Sequence, residues 1–155
     1  MPLGEAAPSV NLSSRTSMAQ YPGADAERRI MPDALSAVVE AIFRGCDMES
    51  RDAHLLAAAL VEADQRGIHS HGTLRVPDYV RKLTEEGVDP RGRPTIARTS
   101  GNAIIVDGAN AMGQIVADFA MRAAIRRSAR CGIALAAARN SNHCGAMDRW
   151  ARLAL

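Results

Sequence analysis

Between Pro32 and Gly67 the apolar residues recur at helical spacing and stop twice at a glycine, which commits this stretch to two helices packed on each other. Leu35, Val38, Val39 and Ile42 fall at i, i+3, i+4 and i+7 of a helix that Pro32 can open in its first turn and Gly45 ends. A second helix is predicted from about Ser50, a good N-cap, to Gln65, with Ala53, Leu56, Ala57 and Leu60 on one face and Gly67 as its stop. Aromatic residues are only 3% of a chain that is 47% hydrophobic, so Ala, Leu, Ile and Val must fill the core, which favours a helix-rich protein.

Upstream, residues 1–31 carry Pro2, Pro8 and Pro22 among serines with no helical or strand period, and read as a disordered leader. Downstream, a short helix is expected from Leu74 to Glu85. Thr95 to Arg98 and Ala103 to Asp107 then flank Thr99-Ser100-Gly101-Asn102, a hairpin signature where a sheet begins. A long helix should span Gln114 to Arg130, with Val116, Ala120, Ala123 and Ala124 inward. Ile133 to Ala138 reads as a buried strand, and His143 as the opening of a last helix. That helix meets Leu155 without a C-cap, so the sequence reads as cut and the sheet as incomplete.

At 155 residues the chain holds one domain or part of one. Its net charge of +2 is too small to imply a nucleic-acid or membrane partner, although 18 of 19 basic residues are arginine and only Lys82 is lysine. No apolar run approaches the roughly 18 residues of a membrane span. Cys46, Cys131 and Cys144 are odd in number and lack CxxC spacing, which predicts reduced thiols in a cytoplasmic protein.

Chemistry concentrates in Asp64-Gln65-Arg66-Gly67-Ile68-His69-Ser70-His71-Gly72-Thr73-Leu74-Arg75, followed by Tyr79. Histidine exchanges a proton near neutral pH, and arginine grips a carboxylate through two parallel hydrogen bonds. If Gly72 opens the next helix, His71 and Arg75 share one face at its positive N-terminus, where an anionic substrate fits. Spacing alone equally allows capping histidines and a solvated arginine. His69-x-His71 also resembles the alternation of a metal hydrolase, but the preceding residues are helical and no carboxylate or further histidine nearby completes a site, so no metal is expected.

A second stretch, Asn140 to Met147, lies at a strand-to-helix junction of the kind that binds phosphates or projects side chains into clefts. His143 could act on a substrate or pack on a cofactor; the alternative is a capping turn with a surface histidine, and Cys144 alone reads as a packing residue. GxGxxG, GxxxxGK[ST] and HExxH are all missing, so no Rossmann site is encoded.

Taken together, DQRGIHSHGTLRVPDY over Asp64–Tyr79, the Asp107-Gly108-Ala109-Asn110 to Gly113-Gln114 turn and Ser141-Asn142-His143-Cys144-Gly145-Ala146 resemble the malate/L-lactate dehydrogenase family, from about residue 32 to the end. That family includes ureidoglycolate, sulfolactate and cyclic imino-acid oxidoreductases. The resemblance implies an α/β, non-Rossmann fold: an N-terminal helical segment, then the start of a mixed sheet flanked by helices. It divides the chain into a helical substrate-site segment over 32–87 and the first part of an NAD(P)-binding domain over 88–155. It implies Ser70 and His71 as catalytic serine and histidine, Arg75 as the contact to the substrate carboxylate, and His143, Cys144, Gly145, Ala146 and Met147 as a cofactor-contacting turn. His143 is a second candidate for acid–base work. NAD or NADP, a small 2-hydroxy or 2-keto acid, and a homodimer in the full-length form are the partners implied. Family members are considerably longer, so the polypeptide is expected to be inactive alone; a non-catalytic remnant or oligomerisation fragment is the alternative.

Overall fold

The computed structural model describes residues 28–85 and 87–155; most of the expected leader lies outside these. Helices α1 (Pro32–Gly45) and α2 (Ser50–Gln65) follow the apolar stripes, with proline in the first turn of α1. Ser50 is not the N-cap expected of it: Glu49 holds that position in an extended conformation, and its side chain makes no capping bond. α3 (Val76–Thr84) follows two 3-10 turns, His69–His71 and Thr73–Arg75.

The second half is a β-hairpin and a right-sized crossover. β1 (Thr95–Ser100) pairs antiparallel with β2 (Ala103–Asp107), so the turn contracts to Gly101-Asn102, with Gly101 at φ +54°. α4 (Gly113–Cys131) then returns the chain to β3 (Leu135–Arg139), which runs parallel to β2, giving a mixed sheet in the order β1-β2-β3. A helix in the crossover is what a parallel pair requires. α5 (Met147–Ala151) closes the fold, followed by a 3-10 turn over Arg152–Ala154.

Two expectations fail here. β3 is not buried: Leu135 is 65% exposed and only Ala136 is half-buried, because the strand lies at the sheet edge and its alanines offer little to pack. His143 does not open a helix; residues 141–146 run as a non-helical turn, with Gly145 at φ +74°, and α5 starts at Met147.

The core has two parts. Val39, Phe43, Leu56, Leu60, Tyr79 and Leu83 join the helices, whereas Ile104 and Val106 of β2 pack on Val116, Ala120 and Ala123. α4 belongs to both, since Ile115 faces the helices and Val116 the sheet. Its first turn is therefore the seam of the molecule. Among the described residues no helix is long and apolar enough to cross a membrane.

Candidate functional site

The loop after α2 is organised by Asp64, whose carboxylate accepts from Thr73 N at 2.8 Å and Thr73 Oγ1 at 2.6 Å and meets His69 Nδ1 at 3.0 Å. Glycine is required at position 72, where a Cβ would overlap that carboxylate. By capping the Thr73 N–H, Asp64 holds residues 69–75 in successive 3-10 turns and delays α3 to Val76. His71 and Arg75 thus do not share a face of α3, as Gly72 opening the helix would have required. They are joined through Ser70 instead: its Oγ lies 3.0 Å from His71 Nδ1, and its carbonyl accepts from Arg75 Nε at 2.6 Å. Arg75 Nη1 also reaches Asp78 at 3.3 Å. Two of its five N–H donors are engaged in these bonds, and the side chain is 40% exposed.

The second limb comes from the sheet. Asn140 leaves β3 at φ +50°, and Asn142 Nδ2 donates toward the carbonyls of Asn110 and Ala111 at 3.2 and 3.0 Å. Gly113 lies so close that a Cβ there would overlap the Asn142 and His143 backbone. Trp150 Nε1 donates to the Cys144 carbonyl at 3.0 Å, fixing the far side of the turn. α5 and the 3-10 turn after it are tied to the C-terminal end of α2 by ion pairs of Glu62 with Arg149 and Arg152, and of Asp148 with Arg66 just past the helix.

The two limbs meet at His143. Its ring stacks on His71 with centroids 5.5 Å apart and planes 24° from parallel, and its Nδ1 is 2.6 Å from Tyr79 Oη. Gln114 Nε2 donates to the same hydroxyl at 3.0 Å. His143 is exposed as a residue, yet burial of its inner edge, then the positive potential of His71, Arg75 and Lys82, hold its pKa below the ordinary 6.5. Burial pushes the Tyr79 pKa up from its ordinary 10.0. At neutral pH the pair is a neutral imidazole and an intact phenol. A weakly basic imidazole beside an arginine and a serine hydroxyl can exchange a proton with a bound acid.

Behind the turn lies a largely apolar cavity of about 530 Å³, lined by Gly113 and Val116 of α4, Ala136 of β3, Cys144, Met147 and Trp150. Its size is within the range that holds a flat heterocycle, and Ser141 and Asn142 put polar groups at its rim, so these residues fit part of a dinucleotide. Ser141, Asn142, Cys144 and Met147 of the turn line this cavity, whereas His71 and His143 do not. Among the described residues no three His, Cys, Asp or Glu side chains gather as a metal site. One premise about His69 and His71 nevertheless changes: a carboxylate, Asp64, does reach His69.

Ser70, His71, Arg75 and His143 are thus brought together, whereas Cys144 and Met147 line the cavity, their sulfurs 3.2 Å apart. Gly145 backs onto Gln114 and Ala146 caps α5. Tyr79, Gln114 and Asp64 carry no role in the sequence reading, although all three lie within the quoted motifs. Tyr79 had a signal, being four residues beyond Arg75 on a helix. Gln114 had another: it is a lone polar side chain between Met112-Gly113 and Ile115-Val116 in the first turn of an expected helix.

Comparison with known proteins agrees with this architecture. A family model described as malate/L-lactate dehydrogenase matches residues 30–155. A malate dehydrogenase of Pyrococcus abyssi is 35% identical over 126 residues, covering 81% of this chain and 35% of the relative. Hydroxycarboxylate dehydrogenase B of Escherichia coli is 33% identical over 79% of this chain and 34% of its own length. The solved malate dehydrogenase of Pyrococcus horikoshii superposes with a TM-score of 0.78 at 31% identity, over 81% of this chain and 36% of that structure. The chain therefore spans about a third of the length of the curated relatives it matches.

Proposed function

The chain belongs to the malate/L-lactate dehydrogenase family, and from that premise we propose that it is the N-terminal part of an oxidoreductase that moves a hydride between NAD(P) and a small 2-hydroxy or 2-keto acid. The observation that carries this reading is the stacked His71–His143 pair beside Ser70 and Arg75.

In this reading Arg75, pre-oriented by Ser70 O and Asp78, grips the substrate carboxylate with its remaining donors. Ser70 and one of the two histidines contact the substrate oxygen, which receives a proton on reduction and gives it up on oxidation. Both rings use Nδ1 within the protein, on Ser70 and on Tyr79, so Nε2 is the atom left for the substrate. A nicotinamide, when bound, would supply the chemistry of hydride transfer. His143, Cys144, Gly145, Ala146 and Met147 would form one wall of its site, and Cys144 and Met147 also line the apolar cavity. Residues 32–87 then serve as the substrate-site segment and 88–155 as the first part of the cofactor domain.

The relatives' greater length supports one corollary, that the 155-residue chain alone has little or no turnover, since catalysis needs the whole preorganised constellation. A homodimer in the full-length form is a separate part of the proposal. Exposed Ile133, Leu135 and Met147 are apolar surface available for such packing. Three free cysteines support a cytoplasmic setting. Titration calorimetry with NAD and NADP tests the reading, run on this chain and on a chimera in which residues 30–155 replace the matching segment of the Pyrococcus horikoshii enzyme. Cofactor binding by the chimera is expected; a folded chimera that binds neither cofactor would refute it.

A further inference from the structure

His143 has a hydrogen-bond partner that is itself constrained. Tyr79 is 2% exposed and Gln114 is fully buried, so neither can turn to water for an alternative partner. An amide nitrogen can only donate; with Gln114 Nε2 3.0 Å from Tyr79 Oη, the hydroxyl is the acceptor there. Its own hydrogen must go elsewhere, and His143 Nδ1 lies 2.6 Å away. An Nδ1 that accepts this hydrogen carries none, so the ring proton is on Nε2.

We infer that Gln114 is a positioning residue that acts through Tyr79 to fix His143 as its Nε2-protonated tautomer. Without the amide donor, the Tyr79–His143 contact could run in either direction, because a phenol hydroxyl can both donate and accept. Gln114 sits where it can enforce one. It occupies the first turn of α4, at the seam of the two cores, and packs beneath Gly145 of the turn that carries His143. Gln114 Oε1 has no hydrogen-bond partner, although the atom is buried. A polar side chain retained at that cost, where a leucine would pack, points to a use for its N–H.

The consequence for chemistry rests on the dehydrogenase reading: an Nε2–H ring facing a substrate donates a hydrogen bond to its carbonyl oxygen and polarises it for hydride addition. The tautomer itself does not rest on it and can be read without turnover.

The experiment is long-range proton–nitrogen correlation NMR of the imidazoles in the full ¹⁵N-labelled chain, at mildly alkaline pH, with His143 assigned from its loss in His143→Asn. The expected spectrum shows His143 with a bare Nδ1 and a protonated Nε2. Tyr79→Phe and Gln114→Met should each lower the ratio of the Nε2-protonated to the Nδ1-protonated form by about fivefold to tenfold, the weight of one hydrogen bond. Gln114→Glu should reverse it, since an introduced carboxylate takes the Tyr79 hydrogen and leaves Oη to accept from Nδ1–H. Wild-type His143 protonated on Nδ1, or evenly mixed, would overturn the inference, as would a folded Gln114→Met with the wild-type ratio. If a Gln114 variant does not fold, the wild-type and Tyr79→Phe spectra still decide the tautomer and the role of the hydroxyl. Loss of activity in the chimera with the tautomer intact would fault the dehydrogenase reading alone.

Discussion

The helical half and the sheet half of this protein are finished to different degrees. In the helical half Phe43, Leu56 and Tyr79 are all but fully buried, and the polar loop that follows is anchored by one carboxylate, Asp64. In the sheet half β1 is exposed along its whole length, β3 is a bare edge, and the apolar cavity behind the His143 turn is open among small side chains. The contrast separates a braced region from an open one. The side that holds Ser70, His71 and Arg75 is braced by hydrogen bonds with Asp64, Ser70 and Asp78, whereas the side proposed to hold a cofactor presents one wall.

The contrast can be broken most directly by truncating one apolar side chain in each half. Phe43→Ala should cost about 3–5 kcal/mol and Leu135→Ala less than about 0.5 kcal/mol in urea unfolding, because one leaves a cavity and the other was already exposed. Equal costs would mean that the sheet is closed in solution, for example by self-association. Gly72→Ala sharpens the claim about the anchored loop. Overlap with Asp64 should force the loop to move, at more than about 1 kcal/mol and with faster amide exchange at Thr73.

Smaller still is the effect of pH. His143 resists protonation more in the folded chain than in the unfolded one, so the unfolded state binds the proton first. Its contribution to stability is complete above the ordinary pKa of 6.5 and is lost as pH falls through the lowered value. His143→Ala should flatten the decline in stability below that pH in pH-dependent denaturation. The α5 anchor should give the weakest signal: Arg152→Ala removes a 40% exposed partner of Glu62, costing roughly 0.2–1 kcal/mol. Its effect should appear chiefly as faster exchange in α5.

The same division decides what could be read from sequence. The bounds of α1 and α2 follow from local periodicity and breakers, signals that need no knowledge of neighbours. The four residues that meet at the site lay within two motifs, and the family resemblance assigned them together. Their connection was not legible. Tyr79 and Gln114 are 35 residues apart and Tyr79 and His143 are 64 apart, so their bonds depend on α4 crossing between the two cores. The apolar run before Asn140 looked buried because hydropathy cannot distinguish a central strand from an edge of alanines. The delayed start of α3 depended on one long-range cap from Asp64.

The measurement that bears most directly on the His71–His143 seam as a catalytic site is the reduction of 2-keto acids by the chimera, with and without His143→Ala. The predicted result is NAD(P)H-dependent reduction by the parent chimera and a fall in kcat of at least about 100-fold in the variant, the scale of one lost hydrogen-bond donor to a developing oxyanion. A folded His143→Ala chimera that turns over as fast as its parent would contradict it.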